Sequence, residues 1–548
     1  MNLATALHYV SYTAKSVSKF VPAVLKTGLV DLSAPPKVTA ALIPNLSRYW
    51  FSLARELEQA VAAVPDQLAL IDDDGTLTYR QFREDSRTLA RYLTSLGLDE
   101  LRIGVMARNG RGILLPMAAK GYAGAAIYLL NVGSSPEQIL GTVEENDINV
   151  LILDDEFEQC APLDRPGTLT LIAHASRPHD NLGTVHDIVS HPERVASVKL
   201  PAFPKHGPIV LMSSGTSGIP KGVVRPEPKL PYVVAGVVRA IPFKAGMRIQ
   251  MTASMFHTWG WAVSNIAFAA RSTVITQRNF DPETVLKQIQ KYRIEGLYSS
   301  PIFLKQMLQI EGQESYDTSS LQFIASSGHA LTPEIVRSVN DRFGPILCNI
   351  YGSTELTLAA SATAAEIEAD PTVAGEITAG TVLKILGPDG AELPTGSIGR
   401  ICLRNSTSLT GYTNPDIPIV SDDEGLIEIG DLGFIDEQNR LHVLGRIDDM
   451  IIVGGENVFP RSVEEILEPM PGVADLTAMG VEDAETFSRI AVWVVREDSP
   501  EGDALTEDSI RDWVARHLAG HSVPRDVHFV DDLPRNATGK VVPRFLTE

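Results

Sequence analysis

Short apolar runs alternate with amphipathic stretches along most of this chain, and that alternation constrains the fold more than any other feature. Glu56–Val64 and Thr78–Leu96 repeat apolar side chains at helical spacing, while Leu68–Asp72, Arg102–Met106 and Val150–Leu153 have the length of strands. Strands and helices taken in turn predict parallel sheets flanked by helices. The pattern breaks over residues 161–207, a Pro- and His-richer connecting stretch, and resumes from Ile209 to about Ile350. From Thr378 to Val443 the texture changes to short β runs split by Gly and Pro, as in GPDGAELPTGSIG. That predicts a small antiparallel or barrel-like subdomain. Beyond Gly445 the chain reads as a separate α+β unit.

A chain of 548 residues is too long for one hydrophobic core and is expected to divide. With 44% hydrophobic and 21% charged residues it has the composition of an ordered globular protein. Its formal charge of −21 argues against a general nucleic-acid binder, and any anionic ligand must be held by local cations and backbone donors. Cys160, Cys348 and Cys402 are odd in number and far apart, which excludes a close-paired zinc site and suits a reducing, cytoplasmic compartment. No run approaches the length of a membrane-spanning helix. Residues 1–30 place Lys15, Lys19 and Lys26 among apolar residues without the continuous core of a signal peptide. Such a segment suits an amphipathic helix, either packed on its own domain or resting at a membrane surface as a peripheral contact.

Directly after the apolar run Ile209–Met212 comes SSGTSGIPKGVV, Ser213 to Val224. Gly215, Gly218 and Gly222 allow backbone N–H groups to approach an anion closely. The hydroxyls of Ser213, Ser214, Thr216 and Ser217 add donors, and Lys221 supplies positive charge. This is phosphate-cradle chemistry without being a Walker A loop, because Pro220 precedes Lys221 and Gly222 follows it. Val210–Lys221 resembles the AMP-binding loop of the adenylate-forming superfamily, which includes acyl-CoA synthetases, peptide-synthetase adenylation domains and firefly luciferases.

The resemblance runs from about Pro65 to Lys540, with further motifs in family order. Asn349–Glu355, NIYGSTE, is similar to the segment in which Tyr351 stacks on adenine, Gly352 and Thr354 approach the nucleotide and Glu355 holds Mg²⁺. The resemblance places Gly328 and His329 of SSGHAL in a turn facing the adenine. In IGDLG the resemblance gives Asp431 the ribose hydroxyls. In LGRIDDMIIVGGENVFP it places Arg446 at the ribose and phosphates, Asp448 at an interdomain hinge and Gly454–Gly455 along a pantetheine tunnel. PRNATGKVV carries Lys540 in the place of the catalytic lysine. In MFHTWGWA, His257 matches a gate residue. Trp259, Trp261 and Phe268, with the small Gly260, Ala262, Ala267 and Ala269, could line an acyl tube or simply pack a core helix.

The resemblance therefore implies an α/β fold. Residues 1–445 would form a large domain of two helix-flanked sheets plus a β-barrel-like subdomain, and residues 449–548 a small mobile α+β domain hinged at 446–448. The implied activity is ATP-dependent conversion of a carboxylic acid, expected to be a medium- or long-chain fatty acid, to acyl-AMP and then to a coenzyme A thioester. An acyl-AMP ligase serving a separate carrier protein, a luciferase-type oxygenase and a non-catalytic nucleotide-binding scaffold are the alternatives. GGEN at 454–457 favours CoA, and retention of Glu355 and Lys540 favours catalysis.

Overall fold

The computed structural model describes residues 18, 20–30, 34–162, 167–179, 182–212, 219–225, 227, 234–422, 424–447, 449–453, 456–483, 487–536, 539–542 and 545–546. Within them the alternation becomes two large sheets and a smaller third. The apolar runs Leu68–Asp72, Arg102–Met106, Val150–Leu153 and Ile209–Met212 are strands with those bounds. Val150–Leu153 and Ile209–Met212 are buried at every position, as strands covered on both faces must be. The helix expected from Thr78 starts one residue later because Thr78 is its cap. The Thr78 hydroxyl accepts from Gln81 N at 3.2 Å, and the Gln81 side chain accepts from Thr78 N at 2.9 Å.

The first sheet has thirteen strands. Its parallel part is Thr273–Thr276, Arg248–Met251, Gly296–Ser299, Phe323–Ser326 and Leu347–Tyr351, with Leu68–Asp72 beside Thr273–Thr276. It then continues, antiparallel, through Ala360–Ala362, Val373–Ile377, Arg440–Arg446, Ile427–Ile435, Gly399–Asn405 and Thr381–Leu386. The antiparallel region expected after Thr378 is thus hydrogen-bonded onto the parallel sheet. The second sheet has eight strands, with Ile209–Met212, Ala126–Leu129, Arg102–Met106, Val150–Leu153 and Leu169–Ile172 parallel. Leu169–Ile172 corrects the reading of 161–207 as pure connection: four residues flanked by Pro and Gly are too short to show a period.

One apolar core joins these two sheets. It holds Ile103, Val105, Ile152 and Leu211 from the second, Ile249, Val274, Tyr298 and Phe323 from the first, and Leu57, Phe82, Leu115 and Phe268 from the helices between. The helix Arg111–Ala123 is buried at nearly every position in that layer. Separate clusters cover the outer faces. The third sheet, of five strands, is built from Ile451–Val453, Glu456–Val458, Val473–Asp483, Phe487–Arg496 and Asp526–Val530, and has its own core around Val463, Ile490, Val492 and Ile510. Of the N-terminal segment, Phe20 and Val24 pack against Ala235, while Val21 and Leu25 stay exposed. No helix among the described residues is long and apolar enough to cross a membrane. All three cysteines are buried and free.

Candidate active site

Parallel strands end together, so the loops leaving their carboxyl ends share one edge of the sheet, where open α/β sheets bind ligands. Met251, Ser299, Ser326 and Tyr351 end four such neighbouring strands. Their exits, with the loop after Ile209–Met212, the strand ends at Asp431 and Arg446, and the third sheet, enclose a cavity of about 1870 Å³. Ordinary small-molecule sites hold roughly 300–1,000 Å³, so this one has room for more than one ligand. Lys221, His257, Trp259, Gly328, His329, Tyr351, Gly352, Thr354, Glu355, Asp431, Arg446 and Lys540 all line it. Chain segments more than three hundred residues apart are thereby brought to one wall. Lys221, Arg446 and Lys540 are among seven Lys and Arg side chains on the cavity wall, which also carries seven carboxylates.

Gly352 has to be glycine: a Cβ there would lie 2.0 Å from the Thr357 carbonyl oxygen. Next to it the Tyr351 hydroxyl donates to Asp431 Oδ2, and Asp431 Oδ1 stands 3.5 Å from Arg446 Nη1. Arg446 Nη1 also donates to the Ile429 carbonyl at 3.0 Å, which fixes the guanidinium over Gly430. Burial raises the Asp431 carboxyl pKa, with the Tyr351 hydrogen bond and the Arg446 and Lys540 charges opposing it. Burial, then the Asp431 charge, pushes the Tyr351 phenol well up. Behind Glu355 lies a residue the sequence reading missed. Arg225 is 2% exposed and bonded to the Thr357 hydroxyl, with Nε and Nη2 buried and unpartnered among the described residues. Burial lowers its pKa to about 9 against the Glu355 charge, leaving it a cation at neutral pH. Among the described residues no cluster of three metal ligands exists. Glu355 alone fits Mg²⁺, which is satisfied by one carboxylate when phosphate oxygens and water fill the other positions.

Lys540 is carried to the cavity by a braced loop. Its backbone N donates to Asn536 Oδ1 at 3.0 Å, and Arg535 Nη1 donates to the Gly539 carbonyl at 2.7 Å. Arg535 Nη2 pairs with Asp475 Oδ2 at 2.6 Å, and Asp475 Oδ1 receives Lys305 Nζ at 3.0 Å. Lys305 belongs to the helix Pro301–Leu308 of the large region, so one carboxylate ties the Lys540 loop across the cleft. Burial works against the Asp475 charge, but Lys305 and Arg535 still hold its carboxyl below the usual range. Gly539 sits at φ +85°, and a Cβ there would meet Ile302 Cγ2 at 2.2 Å, so only glycine lets the loop press onto that helix.

The helix Thr258–Ala269 forms the wall of an apolar arm. Thr258, Trp261, Ala262, Asn265, Ile266 and Ala269 line the cavity at the spacing of one helical face, over twelve residues or about 18 Å. Gly260, Ala267 and Phe268 turn the other way, which places them in the core, the second of the two readings open to them: Phe268 packs edge-on against Phe82 at 5.3 Å. Trp259 Nε1 donates to the Ser299 carbonyl at 3.0 Å, holding its ring at the cavity's inner end. His257 caps the helix there, with Nε2 buried and unpartnered among the described residues. Burial, then the Lys540 charge, lowers its pKa to about 4. His329 projects into the cavity, reached by water yet enclosed by protein, and the same two causes lower it to about 4. The outer end of the arm is bounded by Phe20, Val24 and Leu29 and by Leu42, Ile43 and Leu46 of the helix Pro36–Tyr49, with Arg55 and Glu56. None of these had been read as site residues. Glu56 carried a signal, being a carboxylate on the face of Leu53, Leu57 and Ala60.

Ser213, Ser214, Gly215, Thr216, Ser217, Gly218, Asp448, Gly454 and Gly455 lie outside the described residues.

The profile of AMP-binding enzymes matches residues 57–413, and that of the AMP-binding enzyme C-terminal domain residues 462–540. A methyl-dioxo-octahydroindenyl-propanoyl:CoA ligase of Mycobacterium tuberculosis is 29% identical, over 88% of this chain and 96% of its own length. A 2-succinylbenzoate–CoA ligase of Bacillus cereus is 27% identical, over 90% of this chain and 97% of its own. Among solved structures, an ATP-bound MatB from Rhodopseudomonas palustris superposes with a TM-score of 0.77 at 25% identity, covering 90% of this chain and 97% of that one. An anthranilate CoA ligase in complex with anthranoyl-AMP superposes with a TM-score of 0.80 at 21% identity, covering 90% and 96%. The chain belongs to the AMP-binding enzyme family.

Proposed function

We propose that this enzyme is an acid–thiol ligase acting on an elongated, largely apolar carboxylic acid, longer than a single aryl ring, with ATP and coenzyme A as co-substrates. The observation that carries this reading is the 18 Å face of Thr258–Ala269, which extends an apolar arm from the inner end of the cavity. Medium- and long-chain fatty acids fit such an arm. So does a fused-ring propanoate of the kind named for the Mycobacterium relative. The aryl acids named for other relatives would leave most of it empty.

In the first half-reaction the acid's carboxylate attacks the α-phosphorus, the bond to the pyrophosphate oxygen breaks, and acyl-AMP and pyrophosphate result. Positioning and charge neutralisation are the catalytic demands of such a transfer. We assign them to Lys540 at the carboxylate and α-phosphate, Lys221 and residues 213–218 at the phosphates, and Asp431 with Arg446 at the ribose. Gly328 and His329 would border the adenine, and Tyr351 stack on it while its hydroxyl braces Asp431. Thr354 would face the α-phosphate. Mg²⁺ on Glu355 would neutralise phosphate charge. His257 and Trp259 would bound the acyl group near its carboxyl end. In the second half-reaction a rotation at Asp448 withdraws Lys540 and presents Gly454–Gly455. The CoA thiol then attacks the acyl carbon, and AMP leaves. Exposed Val21, Leu25 and Ile43 beside the arm's outer end suit contact with a membrane surface, from which a poorly soluble acid could enter.

CoA-dependent AMP release over acids from acetate through benzoate to hexadecanoate and ring-bearing propanoates tests this. We expect kcat/KM to rise with apolar length. Highest activity with acetate or benzoate would overturn the reading of the arm. Adenylation without transfer to CoA would favour the carrier-protein alternative.

A further inference from the structure

An apolar arm need not end on charge, and this one does. Arg55 and Glu56 lie in the first turn of the helix Leu53–Ala63, whose buried face includes Leu53, Leu57 and Ala60. Glu56 falls on that face and is 5% exposed. Both residues border the cavity, among Leu29, Val30, Leu46, Phe51, Ile266 and Ala269. Their place along the arm is fixed by their neighbours. Arg271, whose charge acts on Glu56, donates to the Gly28 carbonyl at 2.5 Å, and Tyr79, which also feels Glu56, donates to the Ser272 carbonyl at 2.7 Å. Arg271 and Ser272 lie just past Ala269 and the helix cap Ala270, so the pair stands at the end of the arm opposite His257 and Lys540.

The pair is incompletely satisfied. Arg55 Nε donates to Glu56 Oε1 at 3.1 Å and Nη2 donates to the same oxygen, while the guanidinium lies 4.6 Å from the Phe51 ring centroid. Its Nη1 makes no hydrogen bond among the described residues, although the side chain is only 11% exposed. Arg offers five donors in a fixed fork, and the Nη1 donors, which are not sealed from the cavity, are open to an acceptor bound there. We infer that Arg55, held by Glu56, is a subsite for an uncharged oxygen acceptor, a carbonyl or hydroxyl, at the end of the acyl group remote from the carboxylate. The inference rests on the proposed orientation, with the carboxylate at Lys540. A second carboxylate is the poorer fit, because Glu56 Oε1 already takes Nε and Nη2 of Arg55 and the newcomer would stand beside that carboxylate. A terminal methyl group leaves Nη1 unmet.

The test compares a straight-chain acid with its terminally oxygenated counterparts of equal length: hexadecanoate against the hydroxy acid, the methyl-keto acid and the dicarboxylate. Binding to the full-length enzyme is measured calorimetrically, and CoA-dependent AMP release is followed in parallel. One hydrogen bond to a charged donor makes the expected gain in Kd about tenfold for the hydroxy or keto acid. In the enzyme carrying Arg55→Met with Glu56→Gln, which removes both charges together, the ratio of the two Kd values should fall to about one, and Arg55→Lys should restore part of it. Equal Kd values for plain and oxygenated acids in the unsubstituted enzyme would overturn the subsite, as would an undiminished preference in the doubly substituted one. A tightest-binding dicarboxylate would overturn the assignment to an uncharged oxygen. Failure of the ligase reading would show instead as absent AMP release, whatever the Kd values.

Discussion

His257 lines the cavity between the proposed acyl arm and Lys540. It faces the ammonium of Lys540, and burial with that charge keeps it neutral at physiological pH, with a pKa of about 4. In the unfolded chain the same imidazole titrates near 6.5. Between those values the unfolded state binds more protons than the folded one, so stability rises with pH. The contribution is fully present above about 6.5 and is lost as pH falls toward 4. At pH 5 the loss is roughly 2 kcal/mol for this residue. Urea unfolding at pH 7.5 and pH 5 should therefore show the unsubstituted enzyme losing more stability on acidification than His257→Gln, by about that amount. Equal losses would mean that His257 is not held neutral in the fold. The same burial makes a charged catalytic role for His257 at neutral pH unfavourable and suits it to shaping the junction between arm and phosphates.

At the scale of elements, the tie across the cleft runs from the helix Pro301–Leu308 through the strand Val473–Asp483 to the Lys540 loop, by way of Lys305, Asp475 and Arg535. All three side chains are about one-fifth exposed, so the network is shielded from water without being sealed. Asp475→Asn keeps the shape and removes the charge. It should slow acyl-AMP formation roughly tenfold, as the loss of a partly buried charge-assisted contact would. Thioester formation from supplied acyl-AMP should change little, because the tie must open for that step. Equal slowing of both half-reactions would refute a role tied to closure. Nothing in the sequence pairs Lys305 with Asp475, 170 positions away. Contacts of this kind depend on the finished fold, whereas Leu68–Asp72, Arg102–Met106 and Val150–Leu153 were legible to the residue because burial demands an apolar run. Thr258–Ala269 falls between these cases. Its apolar character was readable, but which face lines the cavity follows from the packing of Phe268 on Tyr79 and Phe82. The charge at Glu56 stood on an apolar face in the sequence, yet its place at the end of the arm needed Arg271 and Gly28 to be located in space.

For the molecule entire, we propose that a small C-terminal region closes on a large one so that the Lys540 ammonium completes a site otherwise built from strand ends. The motifs of the cavity were legible because backbone geometry restricts them: Gly352 lies against the Thr357 carbonyl and Gly539 against Ile302. The acyl arm was less so, since its outer wall comes from residues 20–56, where apolar positions serve packing and ligand equally. The most direct measurement is Lys540→Ala assayed separately in the two half-reactions. ATP- and acid-dependent pyrophosphate release should fall by a hundredfold or more, in line with roughly 3 kcal/mol of lost transition-state stabilisation. The same protein should still convert supplied acyl-AMP and CoA to acyl-CoA. Undiminished pyrophosphate release, or equal loss of both activities, would contradict it.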